Sequence, residues 1–383
     1  MKTVRRLFFS DIVSSVAFVA LAFLSLFFFI DFVQELGELG ARGYTVLHAL
    51  LYCLLQVPGH LYELAPIAVL IGTIYTLARM AQASEYTILR TAGLGPGRAL
   101  GLLASLGLAF GVLTFVVGDY LAPASERLGT QLRASFKGSM DIGRSGAWLK
   151  EKQHTAAGEH SYSIHVTSTD ANGELQLVRL FEFDTHGRLV QRIQAQSATV
   201  NRDSVWTFNE ATVTRWPHPE KMEPPPDGDA TPKEPVLQTH TETLSTVNWS
   251  STLSADVVAA AVMPLNTMST VELGRYVAHL ADNEQAAQRH EIQFWKRALY
   301  PLACLVMVGL ALPFAYMHTR GGQGISLKVF GGIMLGISFV LLNNLASHLG
   351  LLQNWTPWMV AAVPSVFYLL LSMAAFTWLI RYR

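Results

Sequence analysis

Between Val329 and Ile380 the chain carries no Asp, Glu, Lys or Arg, and the same holds for Ile12 to Ile30, Leu64 to Ala78, Ala99 to Gly118 and Ala298 to Met317. A bilayer core about 30 Å thick is crossed by about 20 helical residues, each adding roughly 1.5 Å. In hydrocarbon every backbone N–H and C=O has to be satisfied within the segment, so runs of this kind fold as helices. The last run is long enough for two spans, separated by the polar turn Gln353-Asn354-Trp355-Thr356-Pro357. The second run is short, but it can extend past Tyr62 and Glu63 at one end and Arg79 at the other, where long side chains snorkel to the interface. The pattern predicts six transmembrane helices.

Composition agrees, with 51% hydrophobic and only 15% charged residues. The 28 basic and 28 acidic side chains cancel, leaving no net field that would draw the chain to nucleic acid. Cys53 and Cys304 both lie in apolar runs, which excludes a disulfide framework or a Cys-x-x-Cys metal site and reads as two small buried residues.

Basic residues near span ends set orientation. Lys2, Arg5, Arg6, Arg79, Arg90, Arg98, Arg320, Lys328, Arg381 and Arg383 fall on one side, against Arg42 alone on the other. Both termini are therefore expected in the cytoplasm. A signal peptide would need a shorter apolar run and a small-residue cleavage site, where this chain has Asp31-Phe32-Val33, so the first span is read as uncleaved.

Three spans precede and three follow a polar segment from about Leu121 to Trp295, which this orientation puts on the non-cytoplasmic side. Within it, short alternating runs such as Tyr162-Ser163-Ile164-His165-Val166, Leu175-Gln176-Leu177-Val178-Arg179-Leu180-Phe181 and Ser204-Val205-Trp206-Thr207-Phe208 are separated by the turn signals Asn172-Gly173, His186-Gly187 and Arg202-Asp203. That spacing predicts an all-β sandwich or jelly roll. The expected division is 1–121 for the first three spans, 122–268 for an inserted all-β jelly-roll domain, and 269–383 for a surface helix and the last three spans. Residues 216–235, with Pro224-Pro225-Pro226, read as a mobile loop. Ser269-Thr270-Val271-Glu272 is a capping-box pattern and predicts a helix over about 270–283.

Catalytic machinery is not legible. No Gly-Lys dipeptide exists to close a P-loop, so the chain has no ATPase site of that kind. Gly93-Leu94-Gly95-Pro96-Gly97 lies between spans without a preceding strand and reads as a helix stop and turn. His290-Glu291 begins like a zinc-protease motif, but Phe294 stands where the second ligand belongs. Ser145 lacks the spacing of a nucleophile elbow. No cofactor, metal or catalytic residue is expected. Asp31, Glu63 and Asp119 fall at outer span ends and are read as solvated at the interface rather than ion-coupling; beyond Glu291 there is no Asp or Glu at all, which disfavours a proton-driven carrier.

The connection after the second span, Ala81-Gln82-Ala83-Ser84-Glu85-Tyr86-Thr87-Ile88-Leu89-Arg90-Thr91-Ala92-Gly93, has a serine and an acid at its start, an arginine near its end and a closing glycine. These describe a short capped helix, about 84–92, lying across the membrane surface. Pattern alone leaves two readings open: a connector with a solvated face, or a coupling helix that fits a groove on a cytoplasmic motor through Glu85 and Arg90.

Ala81-Gln82-Ala83-Ser84-Glu85, the Ala92-Gly93 end, Gly118-Asp119-Tyr120-Leu121-Ala122-Pro123, Gly146-Ala147-Trp148-Leu149-Lys150 and Leu273-Gly274-Arg275-Tyr276-Val277, taken in order, resemble the lipopolysaccharide export permease family LptF/LptG over essentially the whole chain. Val57-Pro58 and the pattern around Trp148 favour its LptG branch over the sister LptF branch. The resemblance implies a bacterial inner-membrane permease subunit of an ABC-type exporter. It would work with a sister permease (LptF-like) on a cytoplasmic ABC ATPase dimer (LptB-like), extract lipopolysaccharide, and pass it to periplasmic bridge proteins (LptC-like or LptA-like). Ser84, Glu85 and Arg90 would then couple to the ATPase.

The family's use of the first and fifth spans as a lateral opening makes Phe27, Phe28, Phe339, Leu342 and Asn343 candidates for lining an apolar lipid cavity, although such a cluster could equally face the bilayer. Arg133 and Lys137, four apart on one helix face, could hold lipid A phosphates or ordinary phospholipid headgroups, with Arg42 as a further cation. Where some family members carry lysines at the outer end of the first span, this chain has Asp31, Glu35 and Glu38. An open-sided jelly roll would supply a groove for acyl chains, and its unpaired edge would accept a strand from the bridge protein. The rivals are a membrane enzyme, for which no residue set is found, a scaffold or sensor that moves no lipid, and a lipoprotein permease, whose large domain would follow the first span.

Overall fold

The structure, a computed structural model, describes residues 2–40, 43–91, 95–137, 140–141, 146–155, 158–169, 174–201, 203–216, 239–253, 255–262, 267–282, 287–316 and 324–381. Among the described residues, six helices are long and apolar enough to cross a membrane: Phe8–Leu36, Val46–Gln82, Gly97–Phe136, Gln288–Tyr316, Gly324–Leu352 and Pro357–Trp378. They fall three before and three after an antiparallel sheet, as the charge-free runs predict. The polar turn at Gln353 and Asn354 divides the last run, with Pro357 at the start of the final helix, where its missing N–H costs nothing.

The helices are α1 (Lys2–Leu36), α2 (Val46–Gln82), α3 (Glu85–Thr91), α4 (Pro96–Val116) and, after a π-helical turn at Val117–Leu121, α5 (Ala122–Lys137). After the strands come α6 (Ala255–Val262), α7 (Thr270–Asp282), α8 (Gln288–Tyr316), α9 (Gly324–Leu352) and α10 (Pro357–Arg381). One compact unit comprises residues 1–129, 265–274 and 287–383, the other 130–264 and 275–286.

In the helical unit α8 is central, packing against α2, α4 and α10. Without a hydrophobic drive between helices in lipid, small residues decide where backbones meet. A Cβ at Gly72 of α2 would lie 2.6 Å from both the backbone N and Cα of Val16 in α1, so the crossing exists only because position 72 is glycine. Around it Phe8, Ile12 and Val16 are buried, Thr76 Oγ1 donates to Ser15 Oγ at 2.8 Å, and Arg79 pairs with Asp11 at 2.6 Å. Towards the other end of α1, Asp31 meets His60 of α2 at 2.7 Å. Cys53 and Cys304 are both buried and free, as read from the sequence.

The second unit is built on β1 (Met140–Asp141), β2 (Ala147–Thr155), β3 (Gly158–Thr169), β4 (Leu175–Phe183), β5 (Leu189–Val200), β6 (Val205–Arg215) and β7 (His240–Ser250). From β3 onward each strand pairs antiparallel with the next in sequence, while β1 and β2 share one edge of β3. The inserted β domain is thus present, and its strand order is a meander. The tight turn at 184–188, and the bonds of Asn201 N to Val205 O and Ser204 N to Asn201 O, leave no length of chain for a crossing connection there. The sheet also curls: Glu151 of β2 accepts from Thr252 N (2.6 Å) and Ser251 Oγ (2.5 Å), and Gln153 Nε2 donates to Ser250 O (3.1 Å), so its first edge meets the end of its last strand. Tyr162 and Trp249, on strands that are not neighbours, pack with ring centroids 5.2 Å apart inside the curl, next to the fully buried Trp206 and Phe208. The turn signals Asn172-Gly173 and Arg202, and most of the proline-rich segment 216–235, lie outside the described residues.

Inside this sheet the alternation of buried and exposed residues reverses midway. Buried positions run Tyr162, Ile164, Val166 then Thr169 on β3; Leu175 then Val178, Leu180 on β4; Ile193, Ala195 then Ala198 on β5; and Trp206, Phe208 then Ala211, Val213 on β6. The reversals line up across the strands at Thr167, Leu177, Gln196 and Glu210, and the register on either side of them is unchanged. Leu177 (φ 52°) and Glu210 (φ 51°) adopt the left-handed conformation there, which turns the backbone over within one residue. Leu177 is accordingly 48% exposed, although strict alternation would bury it with Leu175.

Asp184 closes the β4–β5 turn. Its Oδ1 accepts from Arg188 N (2.8 Å) and His186 N (2.9 Å), and its Oδ2 from Arg188 Nε (2.9 Å). These bonds, the Arg188 backbone N–H foremost, hold its pKa down at about 2. A carboxylate with a depressed folded pKa stabilises the fold above its unfolded pKa, and that contribution is lost as pH falls towards the folded value. The melting-temperature gap between the full chain and Asp184→Asn, read from tryptophan fluorescence, should therefore be constant above about pH 5 and close between about pH 4 and 2. A gap independent of pH would remove the carboxylate from this role.

Candidate functional site

α2 ends at a sharp corner, because Ser84 takes a left-handed backbone (φ 57°) and α3 starts at the next residue with the acid Glu85 in its first turn. An acid there is favoured by the partial positive charge of the helix N-terminus. Ser84 and Glu85 are both exposed, as are Thr87 and Ile88. Tyr86 points the opposite way: it is 2% exposed, its hydroxyl donates to that of Tyr316 at 3.1 Å, and the two rings meet edge-on at 5.3 Å. The short helix is thus pinned to the last residue of α8 through Tyr86 and displays the Ser84–Glu85 corner outward. Arg90 belongs to α3, but its side chain is not among those described, and Ala92 and Gly93 lie outside the described residues.

The candidate lining residues sit on α1 and α9, each with its own neighbours. Phe27 packs against His60 of α2 (5.1 Å), and Phe28 stacks on Phe32 (6.5 Å). Phe339 is 3% exposed, packed edge-on against Tyr368 of α10 at 5.4 Å. Leu342 packs against the same core, and Asn343 is half-buried one residue on. In α5, Arg133 is half-buried; the side chain of Lys137 is not described and Arg42 lies outside the described residues. No group of three or more His, Cys, Asp or Glu among the described residues is arranged to hold a metal ion.

A polar network missed by the sequence reading sits where the chain leaves the helical unit for the β domain and returns to it. Asp119, in the π-helical turn, is 7% exposed rather than solvated, and its Oδ1 accepts from the backbone N–H of Thr270 at 2.5 Å. It satisfies one of the orphan donors at the start of α7. The capping box forms as predicted: Ser269 N–H donates to Glu272 Oε2 (2.9 Å), and Glu272 N–H to Ser269 Oγ (3.3 Å). Arg127 of α5 forms an ion pair with Glu272 and donates through Nε to Thr267 O at 3.1 Å. Burial pushes the Glu272 carboxyl up, but the Ser269 N–H and the Arg127 guanidinium outweigh it and leave the pKa below the usual range. Arg297 of α8, itself buried, donates to Met268 O. Only the local half of this network, Ser269 with Glu272, carries a sequence signature.

Residues 6–381 match the family described as "Lipopolysaccharide export system permease LptF/LptG". The lipopolysaccharide export system permease protein LptG of Escherichia coli (strain K12) is 24% identical over 347 residues, covering 90% of this chain and 89% of that protein. The protein of the same name from Haemophilus influenzae is 22% identical, covering 89% of each chain. With a match spanning both helix triplets and the β insert, this chain belongs to the lipopolysaccharide export permease family LptF/LptG.

Proposed function

We propose that this chain is the LptG-type permease subunit of an ABC-type exporter in the bacterial inner membrane. It extracts lipopolysaccharide with a sister permease, driven by a separate cytoplasmic ATPase dimer, and hands the lipid to a periplasmic bridge protein. The observation that carries the reading is the exposed Ser84–Glu85 corner, anchored from below by Tyr86, in a chain whose family match runs from residue 6 to residue 381. A transporter without a P-loop needs a surface through which ATP hydrolysis by another chain is felt, and a small, rigidly seated helix supplies one.

On this reading both termini and α3 face the cytoplasm and the β domain faces the periplasm, in keeping with the basic residues at the span ends. Lipid enters beside α1 and α9, where Phe27, Phe28, Leu342 and Asn343 line its path and Phe339 backs the wall. Arg133, Lys137 and Arg42 meet the phosphates at the outer surface. The β-sheet edge then continues the route by pairing with a strand of the bridge.

The test is photocrosslinking from position 342 in vesicles holding this chain, the sister permease and the ATPase. Lipopolysaccharide adducts that decline only on ATP hydrolysis are the expected result. Adducts to bulk phospholipid alone, unchanged by ATP, would replace the permease with a scaffold that moves no lipid.

A further inference from the structure

We propose that α8 is a strut that carries displacement of α3 to the two chain segments joining the helical unit to the β domain, with Tyr316 and Arg297 as its positioning residues. This rests on the permease reading for its driving force. The physical basis is that α8 is fastened at two points, Arg297 and its last residue Tyr316, to the elements it would connect. At one end its terminal Tyr316 is buried against Tyr86, hydroxyl to hydroxyl at 3.1 Å. The two rings also meet edge-on at 5.3 Å, so packing and hydrogen bond together make Tyr86 and Tyr316 move as one.

At the other point, nine residues into the helix, Arg297 binds the carbonyl of Met268, which lies beside Thr267, the acceptor of Arg127 Nε. Arg127 also pairs with Glu272, and Asp119 holds Thr270 N–H. The outgoing segment, residues 122–129, and the returning one, 267–274, are therefore tied to each other and to α8. Arg297 and Tyr316 are about 28 Å apart along the helix, close to the thickness of a hydrocarbon core.

Between these ends α8 is gripped by α4. A Cβ at Gly107 would come within 3.0 Å of Leu305 Cα, and one at Gly111 within 2.9 Å of Pro301 O. Such close backbone contact resists bending at Pro301. The more direct route, from α3 into α2, passes through the left-handed corner at Ser84, where the helix is broken.

The experiment uses the full chain assembled with the sister permease and the ATPase in liposomes, as wild type, Tyr316→Phe and Arg127→Gln. Two quantities are read: lipopolysaccharide released per ATP hydrolysed, and hydrogen exchange of the amides in 267–274. Tyr316→Phe and Arg127→Gln should each lower release per ATP about fivefold. Tyr316→Phe should also speed exchange in 267–274 by about threefold or more, an effect at the far end of α8 that a role confined to α3 would not produce. Unchanged exchange in Tyr316→Phe overturns the strut, as does full coupling in both single variants. Absence of ATP-dependent release from the wild-type assembly overturns the permease reading instead, and the exchange measurement still decides the strut.

Discussion

Glu85→Lys should abolish productive association with the ATPase while leaving the chain folded. Glu85 is exposed on the first turn of a seven-residue helix whose seat on the bundle is made by Tyr86, so reversing its charge does not touch the packing. Two penalties act at the contact. The lysine places positive charge where the helix N-terminus is already partly positive, at about 0.3–1 kcal/mol. It also sets a like charge against whatever cation the carboxylate pairs with; breaking a desolvated interfacial pair costs about 2–5 kcal/mol, roughly 30-fold or more in affinity. The measurement is the amount of ATPase retained by the tagged chain on purification, beside the thermal unfolding of the chain alone. Glu85→Asp, which keeps the charge, should retain most of the ATPase. Full retention by Glu85→Lys would mean that the corner is an ordinary solvated connector.

Gly72→Leu should detach α1 from α2. Most overpacking substitutions cost about 1–3 kcal/mol because a flexible neighbour yields. Here the atoms in the way include the backbone N and Cα of Val16, each 2.6 Å from a Cβ, so the helix axis itself has to move. Phe8, Ile12 and Val16 would lose their seat, and the pair Thr76 with Ser15 would separate. In a Ser15→Cys, Thr76→Cys background the two thiols should crosslink readily with Gly72 in place and about tenfold less with leucine there. Gly101→Leu is the control, since a Cβ at Gly101 meets nothing within 4 Å. Equal crosslinking in all three chains would show that α1 is not held where the structure has it.

What was legible in the sequence follows from how local each determinant is. The six spans could be read because a run without charge is a property of consecutive residues, and the capping box because its two partners are three residues apart. The pairing of Arg127 with Glu272 could not, because the whole β domain separates them in the chain. Asp119 looked interfacial from its place at a span end, and its burial depends on where Thr270 returns. The inward face of α9 was equally out of reach: the helix is apolar on every side, so periodicity does not distinguish Phe339, which packs on Tyr368, from the exposed Leu341 two residues later. In the sheet, an alternation that holds over four residues fails over eight, which is why Leu177 and Val178 exchange the faces that strict alternation gives them.

The aligned reversals at Thr167, Leu177, Gln196 and Glu210 limit how this domain can change length. An extra residue in β4 alone would shift the reversal of that strand by one step and turn its remaining apolar side chains outward beside neighbours that still face in. Strands that share such a seam have to gain or lose residues in matched sets, so variation in the length of the domain belongs in its connecting loops.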